Sequence, residues 1–226
     1  MADKPIKSRS TLDRELTVLR DSILRISHMV DAAISRSMHA LKEQHVEQAR
    51  QVVVDDQHIN KLRYQTETDC YRLLATQQPT ARDLRSIVTA IHIVVELERI
   101  GDHAVDIARI TQILAQEPLL KPLIDLPRMA HIAREMMGNG LNAYLDWDED
   151  LARQVTQRDS EIDQLENQVY RELLAFMLQD ATTINRATHL LWVSHHLERI
   201  GDRITNICER VIFMVTGEME ETEENA

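Results

Sequence analysis

The sequence predicts an all-α fold of two tandem three-helix bundles, on three observations. The string LERIGD occurs twice, at 97–102 and again at 197–202. Hydrophobic residues make up 43% of the 226 positions and aromatic residues only 4%, with five glycines and five prolines, a profile that suits helices better than a sandwich or barrel. The prolines all fall outside the periodic segments: Pro5 near the N-terminus, Pro79 in a turn, and Pro118, Pro122 and Pro127 together. Proline is costly in a helix interior, so these positions mark boundaries.

The elements follow in order. Residues 1–10 are polar and read as a disordered tail. Leu12, Leu16, Leu19, Ile23, Ile26 and Val30 recur at spacings of three and four, which makes a long amphipathic helix of the bundle type. A second helix is expected from 46 to about 75 and a third from 81 to about 115, closing a first bundle over 11–115. Thr80 with Asp83 three residues later is a capping-box arrangement. The stretch QEPLLKPLIDLP, 116–127, reads as a linker. A second bundle over 128–216 then has helices near 128–145, 149–178 and 184–216. Gly138 and Gly140 weaken the first of these, at about 1 kcal/mol each relative to alanine. The tail 217–226 is acidic, lacks periodicity and is expected to be disordered.

The halves are an internal repeat. Ala49 aligns with Ala152, Asp56 with Asp159, Ile59 with Ile162 and Asn60 with Asp163; by Leu73 and Leu173 the register has shifted by three, and it then holds through LERIGD. The duplication explains why that string recurs. It does not explain why the string carries two acids around a glycine.

On a helical wheel with Glu98 at zero, Asp102 lies near ~40° and Asp106 near ~80°, with successive rises of about 6 Å. Ile87, Ala90, Val94, Leu97, Gly101, Ala104, Val105 and Ala108 form the buried stripe. The acids therefore line the border of the core, while Glu96 and His103 point to the solvent side. The second and third helices turn near Gln78, and an antiparallel hairpin from there brings Asp55, Asp56 and Asn60 opposite Glu98, Asp102 and Asp106. The same construction about Ala181 brings Asp159 and Asp163 opposite Glu198, Asp202 and Asn206.

Like charges about 6 Å apart repel by roughly 3 kcal/mol at an effective dielectric near 20, so such acids stay protonated or take a cation. Arg99 and Arg199 point about 100° away from the glutamates. Arg109 can pair with Asp106, but its repeat position holds Glu209, so the second group is the richer in carboxylates. Oxygen ligands with almost no histidine or cysteine favour a hard ion such as magnesium, manganese, calcium or ferric iron. The plainer reading is a solvated acidic flank, and two facing copies weigh against it. Gly101 and Gly201 fit either close helix approach or room for ligands.

Other features limit function. A net charge of −11 disfavours nucleic acid as a partner and suits basic surfaces. The N-terminal residues lack the apolar core of a secretory signal, and no apolar run approaches the roughly 18 residues of a membrane span, so a cytoplasmic protein is expected. Cys70 and Cys208 stand alone and read as small buried hydrophobes. The ten histidines form no common pattern and read as surface residues.

The doubled ERIGD, the following DHAVDIA and DRITNICE, and the turn QPTARDLR together resemble the PhoU family, bacterial regulators of phosphate uptake; the resemblance spans roughly residues 10–216. It implies two three-helix bundles binding metal clusters through E(D)-x-x-x-D motifs, with iron, manganese, magnesium or zinc as the ion. Carried onto this chain, the motifs are Glu98–Asp102 with Asp106, and Glu198–Asp202 with Asn206 and Glu209; Arg109 stands where the family often has an acid. The resemblance further implies an adaptor, not an enzyme, between the ATPase subunit of a phosphate ABC transporter and a membrane sensor histidine kinase, repressing the phosphate-starvation response when phosphate is ample. It would reach the membrane through those partners only, and a homodimer is compatible with it. The alternatives are a di-metal carboxylate enzyme and a metal-free helical scaffold. Against the enzyme, no Glu-x-x-His motif lies near the acids. No glycine-rich phosphate loop is present either.

Overall fold

The computed structural model describes residues 6–219, and all secondary structure among them is helical. Helices α1 (Ile6–Glu43), α2 (Val46–Gln77) and α3 (Ala81–Leu114) form the first bundle. Helices α4 (Asp125–Asp146), α5 (Glu149–Gln157), α6 (Asp159–Gln179) and α7 (Ile184–Thr216) form the second, with a single 3-10 turn at Ala181–Thr183. Because α1 already begins at Ile6, part of the stretch expected to be a tail is helical. Residues 1–5 and 220–226, the rest of the two expected tails, lie outside the described residues.

Three local expectations need correction. The helix expected over 149–178 is broken at Arg158. There Arg158 N–H donates to Val155 (3.1 Å) and Glu161 N–H to Arg158 (3.0 Å), three-residue spacings that tighten the turn. The Ser160 hydroxyl donates to the Gln157 carbonyl (3.0 Å), which draws that oxygen away from the regular ladder. Second, α4 starts at Asp125, so Pro127 sits inside its first turn, where a missing N–H costs nothing. Third, Thr80 does precede α3, but its hydroxyl donates to the Asp83 carboxylate (3.0 Å) and does not cap a backbone N–H.

The buried stripe expected on α3 is buried throughout, and so is a second face. Ile93, Ile100 and Ile107, spaced by seven, are fully buried, as are their repeat positions Val193, Ile200 and Ile207 on α7. Polar contacts beside these ridges show why. Arg85 Nε donates to the Met214 carbonyl (3.0 Å), the Thr89 hydroxyl to the Arg210 carbonyl (3.2 Å), and Arg203 Nη1 to Glu96 Oε2 (3.4 Å). Contacts that advance along α3 retreat along α7, so the two helices run antiparallel with the halves related about the point where they cross. The wheel position of Glu96 and His103 therefore faces the other half, not solvent. The apolar cores of the two bundles merge into one continuous cluster. At the far side Arg134 of α4 grips Asp31 of α1 with two nitrogens (2.6 and 2.8 Å).

The linker is tied down. Gln44 Nε2 donates to the carbonyls of Leu114 (3.2 Å) and Glu117 (2.6 Å), Lys121 pairs with Glu172 of α6, and Leu120 and Leu123 pack on the core. Cys70 and Cys208 are both buried, and burial pushes each thiol up to about 12. Gly140 has a structural reason: a Cβ there would lie 3.1 Å from Cys208 Sγ, whereas Gly138 faces open space.

Candidate functional site

In each bundle the hairpin brings a carboxylate of one helix onto the glycine of LERIGD in the other. Asp56 Oδ1 lies 3.5 Å from where a Gly101 Cβ would be, and a Cβ on Gly201 would overlap Asp159 Oδ1. Gly201 thus leaves the space an acid occupies, whereas a Cβ at Gly101 would only touch its acid. Around Asp56 gather Glu98 and Asp102, and around Asp159 gather Asp163, Glu198 and Asp202. Side-chain exposures of 16% for Glu98 and 20% for Glu198, against 42% for Asp102 and 33% for Asp202, describe rows half withdrawn from water yet open along one edge.

The electrostatics follow from that position. Burial, reinforced by neighbouring acids, raises the carboxyls of Asp56, Glu98, Asp102 and Asp163, and pushes Asp159 and Glu198 up to about 7. Several oxygens here lack a hydrogen-bond partner although they are buried: Asp56 Oδ1, Asn60 Oδ1, Asp159 Oδ1 and Glu198 Oε2. Glu198 Oε2 does lie 3.3 Å from His195 Nδ1, but without hydrogen-bond alignment. Buried polar atoms are normally satisfied, and convergent oxygens without donors suit a cation.

Not every expected residue joins the rows. Asp55 turns the other way: Arg36 of α1 holds it at 2.6 Å and Gln51 at 2.7 Å, and the arginine bond keeps its carboxyl below the usual range. Asp106 stands at the end of the first row, fastened by Arg109 at 2.8 Å. Asn206 is half-buried one turn beyond Asp202, and Glu209 lies farther on, where its charge bears on the Cys208 thiol. Nor do the motif arginines point uselessly away. Arg199 Nη1 reaches back to Asp202 (2.7 Å) and Arg99 to Glu98 and Asp102 (3.7 Å each), because a long flexible stem spans one helical turn.

Sequence reasoning missed Glu166 and His195, which stand beside Glu198 with candidate ligand atoms all within 4.8 Å of one another. The signal was there, since Asp159, Asp163 and Glu166 continue one helical face at spacings of four and three. In the first bundle the aligned position is Arg63, which pairs with Glu67 (2.9 Å) and lowers the Glu98 carboxyl. The first row is therefore flanked by Arg63 and Arg109, and the second by Glu166, with Glu209 at the repeat position of Arg109.

Two expected results follow. Alanine is favoured over glycine in a helix by about 1 kcal/mol. Gly101→Ala meets only ordinary contacts (3.4–3.5 Å) and is expected to raise the melting temperature. Gly201→Ala must displace Asp159 and press on Ile162 (3.1 Å), so it is expected to gain less or lose stability, and to distort the second row. Equal shifts for both variants would contradict the close fit at Gly201.

The second concerns pH. Asp159 and Glu198 have folded-state values raised above their ordinary ones. Their contribution to stability is full below about pH 4 and lost as pH rises through about 7. His92, and the half-buried His103 and His196, are lowered, first by loss of hydration, and act in the opposite sense below about 6.5. An Asp159→Asn/Glu198→Gln variant isolates the acids. In chelator-treated protein, the parent should lose more stability than the variant between about pH 5 and pH 8; parallel denaturation profiles would contradict this.

Fold and site together define a class: a duplicated three-helix bundle with a carboxylate row on the inner flank of each hairpin. The chain belongs to the PhoU domain family, whose model matches it twice, at residues 23–111 and 126–211. It is 36% identical over 211 residues to a phosphate-specific transport system accessory protein PhoU homolog of Clostridium acetobutylicum (93% of this chain, 96% of that one). A protein of the same description from Aquifex aeolicus is 37% identical over 208 residues (92% and 94%). The crystal structure of PhoU from Pseudomonas aeruginosa superposes with a TM-score of 0.87 at 32% identity (91% of this chain, 99% of that one). That of the phosphate transport system regulatory protein PhoU from Streptococcus pneumoniae gives 0.85 at 30% (93% and 100%). No helix among the described residues is long and apolar enough to cross a membrane.

Proposed function

We propose that this protein is a metal-binding regulator of phosphate uptake, acting by contact with a phosphate ABC transporter and a phosphate-sensing histidine kinase to repress the starvation response when phosphate is ample. The observation that carries the regulatory part is similarity along nearly the whole chain to phosphate-transport accessory and regulatory proteins. The orphaned carboxylate oxygens support the metal part. Asp159, Asp163, Glu166, Glu198 and Asp202 would hold ions in the second bundle, and Asp56, Asn60, Glu98 and Asp102 in the first. A hard cation such as iron, manganese or magnesium would neutralise each row and tie two helices of its bundle together; bridging carboxylates allow more than one ion per row.

The acids sit on the flank of each bundle. A di-metal oxidase instead projects its ligands into the bundle core. A regulator of this kind works by binding, and a surface with net charge −11 is expected to favour basic patches on its partners, in contacts that weaken with salt. The direct test is deletion of the gene in its own organism. Phosphate-starvation genes are then expected to be expressed in phosphate-rich medium and silenced again by a plasmid copy. Continued repression in the deletion strain, with no second copy of the gene present, would refute the regulatory reading. Catalytic consumption of oxygen by the iron-loaded protein would favour the oxidase instead.

A further inference from the structure

Where the two halves meet, the repeat places two pseudo-equivalent contacts between α3 and α7, and they differ in chemistry. In one, Glu96 of α3 accepts from Arg203 of α7 at 3.4 Å, an ordinary ion pair. In the other, the same positions of the repeat are both histidine: His103 of α3 faces His196 of α7, with Nδ1 3.1 Å from Nδ1. Asp106, one turn from His103, completes the group, and the candidate ligand atoms of all three residues lie within 4.8 Å of one another. Both imidazoles are half-buried, with ring centres 5.4 Å apart and planes inclined at 47°.

We propose that His103, Asp106 and His196 form a transition-metal site, taking zinc or ferrous iron, that fastens the two bundles to each other. Two ring nitrogens and one carboxylate are the protein ligand set of open zinc and non-haem iron sites. Two nitrogens bound at about 2.0–2.1 Å to one tetrahedral zinc stand about 3.3 Å apart, close to the separation found here. Without a metal the two Nδ1 atoms share one proton in a hydrogen bond, one ring donating and the other accepting; a shared ion instead accepts both lone pairs. Arg109 fixes the third ligand through Asp106 Oδ1.

The site differs in kind from the carboxylate rows and does not depend on them. Nitrogen ligands select borderline metals, whereas oxygen rows select hard ones. Asp106 stands where the end of the first row meets the junction of the two bundles, and its charge still bears on Asp102.

The test uses the full chain, stripped with chelator and titrated with zinc by calorimetry, and separately with cobalt as a visible reporter of tetrahedral nitrogen coordination. Two variants are compared with the parent. His196→Ala removes one ligand. His103→Arg/His196→Glu rebuilds at this point the ion pair that Glu96 and Arg203 make at the other, so it keeps the interface while removing both nitrogen ligands and engaging the new carboxylate with the arginine. The parent is expected to bind one more equivalent of zinc than either variant, to show intense cobalt absorption that both lack, and to melt higher with zinc than without. Removal of an outer-shell partner commonly costs about 10–100-fold in metal affinity, so loss of a direct ligand is expected to weaken this site by at least about 100-fold. Equal zinc stoichiometry and the same cobalt spectrum in parent and double variant would overturn the proposal.

Discussion

The Glu198→Ala/Asp202→Ala variant is expected to lose entirely the metal proposed for the second bundle while remaining helical and monodisperse. These two side chains stand one turn apart on α7 and face Asp159 and Asp163, so removing them takes away one wall of the row. What it costs the metal-free protein is small. The Arg199–Asp202 contact (2.7 Å) is lost, but both partners are more than 30% exposed, and such a pair contributes about 0–1 kcal/mol. Against this stands relief of repulsion among four acids. That amounts to up to about 3 kcal/mol per pair before solvent screening, which grows along the open edge. In chelator the variant is therefore expected to melt no lower than the parent, and in metal-replete buffer distinctly lower. Elemental analysis after gentle purification reads the first effect and paired thermal melts the second. Unchanged metal content would show that the ions sit elsewhere, and no metal in the parent would favour a metal-free scaffold.

The difference between the two bundles shows what a sequence can and cannot display. Periodicity, proline placement and the doubled LERIGD are local signals, and they suffice for the duplication, for the helices apart from the break at Arg158 and the start of α4, and for the hairpin register that puts Asp56 on Gly101 and Asp159 on Gly201. The side-chain directions within a row were less legible. Asp55 and Asp56 are neighbours about 100° apart on the same helix; Asp56 continues the buried line of Val52 and Ile59, and Asp55 turns to Arg36 on α1. Arg99 and Arg199 were misread because a helical wheel gives the direction of Cβ, not the reach of a long side chain. The largest gap was the second buried face of α3. Its wheel position holds Glu96 and His103, which read as solvent-facing until α7 is placed against them, and Thr89 lies on the same line. The ridge Ile93, Ile100, Ile107 was the available sign that a helix partner covers that side. His103 and His196 are linked by no sequence pattern, since the contact arises from antiparallel crossing of two copies of one helix.

The same ridge supports the largest expected loss of stability. Ile100 is fully buried, and its place between the polar contacts of Glu96 and His103 puts it on the side of α3 that faces α7. Ile100→Ala deletes three carbons from a packed site and is expected to cost about 2–5 kcal/mol. Ile100→Asp does more, because it places a carboxylate where Ile93, Ile107, Val193, Ile200 and Ile207 are themselves buried. A charge there must be desolvated or protonated, and either penalty comes on top of the lost packing, so the loss is expected to exceed about 4 kcal/mol. The halves share one continuous core, so the parent should unfold in a single cooperative step in urea despite its two repeats. The aspartate variant should unfold well below it, and in two steps if either bundle keeps its own structure once the seam is wet. Exposed surface residues respond differently: their substitutions usually stay within about 0.5 kcal/mol. If Ile100→Asp unfolds at the parent's urea midpoint, α3 and α7 do not pack as described, and the two bundles are joined by little more than their linker.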